Sequence, residues 1–173
     1  GAAYAGNGEV SATFTVLRSD LRNIPDRHRS LWETIAWSYD LLAPEEQRLF
    51  RRLAVLVGGW TVESAQAVCG GEAEAEVESV LWSLLDKHLI YRAADTTGTV
   101  RFAMLETLRD FGLEALRRTG ELLATQRAMA ATYTAMAEHA TGHIHGPDSA
   151  RHHAFLSHEA DNLNAAIVWI DAN

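Results

Sequence analysis

The clearest β-structure in this chain is a single stretch flanked by helical patterns on both sides; upstream, Val10 to Leu17 alternates only weakly and reads as a candidate strand. Leu89 to Ala93 is β-like, and Thr99 to Met104 is the returning strand. Between them, Asp95-Thr-Thr-Gly98 is a hairpin turn, with a glycine free to take positive φ. The returning strand feeds directly into Leu105 to Thr119, a helix closed by Gly120. A chain whose β-structure is one short hairpin set among helices belongs to the mainly α class.

The segments before the hairpin narrow this further. Residues 1–28 read as an irregular lead-in, ending near the Asn23-Ile-Pro-Asp26 turn signal. Ser30 to Leu42 is the first clear helix, with Ser30 and Glu33 spaced as a capping box. Leu31, Ile35, Tyr39 and Leu42 share one face of it, and Trp37 is expected in the core. Pro44 opens the next helix, and Glu45 and Glu46 suit its positive end. Gly58-Gly59 stops it, Trp60 is a short extended step, and Thr61 caps a third helix with Ser64. Glu74 to His88 is the fourth helix, with Val77, Val80, Leu81, Leu84 and Leu85 inward. Helix, short strand, helix, helix, hairpin, helix is the order of a winged helix-turn-helix, placed over 29–119. Residues 120–173 then read as antiparallel helices rich in small residues such as Ala128, Ala131 and Ala165, broken near Ser157–Glu159.

Composition bounds the function classes. At 173 residues the chain can bury roughly 70% of its unfolded surface, enough for a real core. Lys and Arg total 15 against 23 Asp and Glu, a net charge of -8. Nucleic-acid binders usually present a basic face, because phosphate contacts dominate their affinity, so DNA is not the expected partner. No apolar run reaches the ~20 residues that span a bilayer, so no membrane partner is expected. The first ten residues show no secretory pattern, and a single cysteine, Cys69, fits a reducing cytoplasm.

Several strings, taken in order, resemble one family. They are Leu21-Arg-Asn-Ile-Pro-Asp-Arg-His-Arg-Ser-Leu31, Ile35-Ala-Trp-Ser-Tyr-Asp-Leu-Leu42, Pro44-Glu-Glu-Gln-Arg-Leu-Phe-Arg-Arg-Leu53, Gly58-Gly-Trp-Thr61, Leu84-Leu-Asp-Lys-His-Leu89 and Glu159-Ala-Asp-Asn-Leu-Asn-Ala-Ala-Ile-Val-Trp169. Their colinear order resembles the winged helix and the start of the tetratricopeptide-like region of actinobacterial STAND (NB-ARC-like) ATPase regulators. The resemblance implies a non-catalytic segment that relays state by interdomain packing in a transcriptional regulator. It also implies ATP or ADP in the parent protein, a partner nucleotide-binding domain on the same polypeptide, and an inducer or protein partner at the repeats. In NB-ARC relatives the last winged-helix helix opens with Met-His-Asp, whose histidine senses the nucleotide. The matching triplet here is Met104-Leu105-Glu106, and leucine cannot donate to a phosphate. Leu105 is instead expected in the core beside Phe102 or Leu108. No Walker A motif is present, so no cofactor is expected in this segment. The alternative is a stand-alone winged-helix DNA-binding regulator with a helical dimerisation tail.

The remaining candidates divide between sharp and bland readings. Arg27, His28, Arg29, Arg51 and Arg52 are candidate interdomain contacts; the bland reading pairs them with Asp26, Glu45 and Glu46. His139, His143, His145, His152, His153 and His158 invite a metal, yet no cysteine accompanies them and the reading adopted is an exposed polar face. Glu106 and Asp110 are read as solvated or paired with Arg109 and Arg101, not as an acid/base pair. Cys69 has no identifiable activating partner, and no catalytic residue is assigned.

Overall fold

A computed structural model describes residues 26–69, 74–93, 99–142 and 149–173, without the side chains of 26–29, 74, 75 and 151. The Val10–Leu17 candidate strand and the Asp95–Gly98 turn lie outside the described residues. The chain divides into two compact units, Gly1–Gln47 and Arg48–Asn173.

In the first unit, α1 covers Asp26–Asp40. It extends further upstream than expected, because Arg27 to Arg29 contain no helix breaker. Ser30 therefore lies inside the helix instead of capping it, and its carbonyl accepts from Thr34 Oγ1 at 2.9 Å. Ile35, Ala36, Tyr39 and Leu42 are buried. Leu31 is exposed, and Trp37 is 61% exposed rather than a core residue. At 100° per residue Trp37 points away from the 35/39/42 stripe, so the helix period itself excludes it. Helix α2, Pro44–Leu53, begins as the proline and glutamates predict. Glu46 Oε2 reaches back to accept the Ala43 N–H at 2.8 Å, which satisfies one of the donors a helix start leaves free.

The second unit carries the hairpin and most of the core. Phe50 and Leu53 of α2 are fully buried, as are Ala54 and Leu56 just beyond it. Helix α3 is Val62–Cys69. Its cap is reciprocal: Ser64 N–H donates to Thr61 Oγ1 at 3.2 Å and Thr61 N–H to Ser64 Oγ at 2.9 Å. Helix α4, Glu74–Asp86, turns inward with Val77, Leu81 and Leu84. Strands β1, Tyr91–Ala93, and β2, Arg101–Ala103, pair antiparallel with Arg92 opposite Phe102. Trp60 adds a third, one-residue rung by exchanging both backbone bonds with Phe102. Helix α5, Glu106–Thr119, ends on Gly120 in the left-handed region, as the sequence predicts.

Three tail helices follow: α6, Leu122–Gly142, α7, Ser149–His158, and α8, Ala160–Ala172. The break near Ser157–Glu159 falls between the last two, at Glu159. Helix α6 packs on α3, α5, α7 and α8, so the tail shares one compact unit with the winged-helix residues from Arg48 onward.

Candidate functional site

In a helix-turn-helix the second helix is the one that enters a DNA groove. Here that position belongs to α4. Its apolar stripe is spent on the core, so the opposite face is what a partner meets. That face presents Glu76, Glu78, Ser79, Trp82 and Asp86, all exposed. Trp82 rests edge-on against Phe102, with ring centroids 5.5 Å apart, and donates weakly to Glu78 at 3.4 Å. Glu78 is thus the carboxylate that meets its half-exposed ring. The exposed cations nearby in sequence come after the helix, at Lys87 and at Arg92 on β1. A face carrying three carboxylates repels phosphates and offers no fork for a guanine edge.

The Met104-Leu105-Glu106 position lies at the start of α5. Leu105 is its N-cap and makes no side-chain cap bond. It is 57% exposed, which overturns its expected place in the core. Phe102 and Leu108 take the inward positions on either side, and Leu105 falls where the chain leaves the strand before the first helical turn. Glu106 is exposed and Met104 half-buried.

Arg51 and Arg52 meet on a partner that the sequence reading did not name. Arg51 Nη2 lies 2.6 Å from Glu121 Oε1, and Arg52 Nε lies 3.0 Å from Oε2. Burial pushes the Glu121 carboxyl up, but the bonds and charge of Arg51 and then Arg52 outweigh it and hold it below its ordinary value. The pair thus ties α2 to the link between α5 and α6. Arg27, His28 and Arg29 are helical in α1, and their side chains lie outside the described residues. Of the histidines, His139 and His152 bring their rings to 5.9 Å, while His143 and His145 lie outside the described residues. Among the described residues no group of three or more His, Cys, Asp or Glu could hold a metal ion.

A buried polar cluster was not foreseen. Arg101 pairs through Nη1 with Glu159 Oε1, while Glu106 and Asp110, read as solvated or paired with Arg109 and Arg101, are exposed. Asn162, fully buried, joins them through a 2.9 Å bond to Glu159 Oε2. Tyr133 lies beside them; burial first, and the Glu159 charge second, push its phenol up. The only local signal in the sequence was the polar Glu159-Ala-Asp-Asn162 run that interrupts an apolar helical pattern.

The family model that matches is described as a winged helix-turn-helix domain, and it covers 42–117. The fold over these residues is that of a winged helix-turn-helix. The chain is also homologous to longer mycobacterial proteins. One in Mycobacterium tuberculosis and one in Mycobacterium bovis carry the name "Putative HTH-type transcriptional regulator"; each is 36% identical over 166 residues, which is 92% of this chain and 18% of the relative. A protein of Mycobacterium tuberculosis named only as uncharacterized is 32% identical over 96 residues, 54% of this chain and 24% of that protein. The chain therefore spans about a fifth of the length of the curated relatives it matches. No solved structure matches it significantly. Among the described residues no helix is long and apolar enough to cross a membrane.

Proposed function

We propose that this chain is a non-catalytic winged-helix module of a transcriptional regulator, and that its helix-turn-helix face meets protein, not duplex DNA. The names of the relatives support the regulatory role. The single observation that carries the second half is the exposed part of α4, which presents Glu76, Glu78 and Asp86 as well as Trp82. The module would relay state by packing against a neighbouring domain of the same polypeptide. By the STAND resemblance, that domain would be an ATP- or ADP-binding core, and the helical tail would open a tetratricopeptide-like array that receives an inducer or partner.

The comparisons favour a second reading on one point. The matched family and relatives speak of helix-turn-helix and transcription, and none speaks of an ATPase. On those names a DNA-binding winged-helix regulator is the better supported of the two, and only charge stands against it. Fluorescence anisotropy with random duplex DNA at stepped salt separates them. The proposal expects no salt-dependent binding; a steep fall of affinity with salt supports the DNA reading and removes the first. Calorimetry with ATP and ADP tests the division of labour, since micromolar binding by this chain would place the nucleotide site in the wrong part of the protein.

A further inference from the structure

Helix α8 buries only two residues, Asn162 and Ala166. One of the two is polar, and it uses its whole bonding capacity. Asn162 Oδ1 accepts from the Val57 N–H at 2.8 Å and the Gly58 N–H at 3.3 Å. Its Nδ2 donates to the Gly59 carbonyl at 2.8 Å and to Glu159 Oε2 at 2.9 Å. An amide side chain has two donors and two acceptor sites, so none is left over. The other Glu159 oxygen holds Arg101 Nη1. Arg101 Nη2 then returns to the same loop, donating to the carbonyls of Gly58 at 3.4 Å and Gly59 at 3.3 Å. Loop 57–59 is thus bonded from both sides, by a strand residue and by the first turn of α8. The approach is tight: a Cβ on Gly58 would lie 2.7 Å from Asp161 Cβ.

We propose that Arg101, Glu159 and Asn162 form a latch that holds α8 on the winged helix and opens as a unit, releasing α8 without unfolding the domain beneath. Three features support this. Apart from its packing on α6, α8 meets the winged helix at loop 57–59 and Arg101 through polar bonds that water can replace, whereas the winged-helix core is apolar. The groups are buried together, so losing one leaves the others unsatisfied, and intermediate states are penalised. Arg101 also belongs to the hairpin: it pairs across to Ala93, and its neighbour Phe102 bridges to Trp60. Movement of α8 therefore reaches the hairpin through one side chain. The latch is independent of whether the α4 face meets protein or DNA.

Hydrogen exchange read by mass spectrometry on the whole chain tests it, comparing Glu159→Gln, Asn162→Ala and Gly58→Ala. The first two remove bonds; the third keeps all three polar side chains and wedges the helix off. Each should speed exchange of the Val57 and Gly58 amides and of residues 160–172 about tenfold or more, while α3 and α4 stay within about twofold. Uniform acceleration across the chain, or loss of folding in all three variants, would show that the cluster is ordinary core. Unchanged exchange at 57–58 and 160–172 would show that it holds nothing. Either result overturns the proposal.

Discussion

Cys69 closes α3 inside the core, and burial pushes its thiol up to about 12 against a smaller opposing pull from Arg52. An unfolded thiol would titrate near its ordinary value of 9.0. The folded state therefore holds its proton more tightly, and the stability this gives is complete below pH 9 and is lost as pH rises toward 12. Urea unfolding should show a loss of about 1 kcal/mol between pH 9 and pH 10, much of it absent in Cys69→Ala. An equal slope in both proteins would assign the effect elsewhere; Tyr133, whose phenol is also pushed up, contributes in the same direction. Leu84 is completely buried, so Leu84→Ala should cost about 2–5 kcal/mol in the same assay. Leu105, being exposed, should tolerate histidine within about 0.5 kcal/mol. These three residues differ in how legible they were. Leu84 lies mid-stripe in a long helix, where periodicity decides burial. Leu105 lies at an element boundary, where no period extends and only tertiary contacts decide. The sequence offered no activating partner for Cys69, but how far its thiol is raised depends on how completely it is buried.

At the scale of elements, α5 and the end of α2 approach each other closely. A Cβ on Gly112 would lie 2.7 Å from Ala54 Cβ, and Phe50 meets Phe111 nearby with ring centroids 6.4 Å apart. Gly112→Ala should therefore destabilise the domain by about 1–3 kcal/mol, although alanine is ordinarily the better helix former. Adding Ala54→Gly should recover part of the loss; a double-mutant cycle with no coupling would mean that the helices separate freely. The elements themselves were largely readable, because their signals are local. The Thr61–Ser64 cap, the Pro44 start and the Gly120 stop each act within one turn. Ser30 misled because a good capping sequence was outcompeted by a helix already running through it. Which helix faces touch, such as α3 against α6, was not readable, since small residues allow close packing without naming a partner.

The whole molecule turns on two long-range facts. The order of elements predicted a winged helix, and the order was correct. The attachment of the tail was not predicted, because Arg101 and Glu159 are separated by 58 positions and no local rule links them. The charge balance, by contrast, was legible from composition, and part of it falls on α4, where Glu76, Glu78 and Asp86 are exposed along with Trp82. The claim that this winged helix meets protein is therefore a claim about a local field, which salt reports directly. The decisive measurement is the dependence of duplex-DNA affinity on salt between about 50 and 200 mM, for the chain and for Glu76→Gln/Glu78→Gln. The account predicts no measurable binding by the chain at either salt, with at most weak binding once the carboxylates are neutralised. Tight binding by the unaltered chain that falls by about a thousandfold or more across that range would contradict it, because such a slope requires several phosphate contacts that an acidic helix cannot supply.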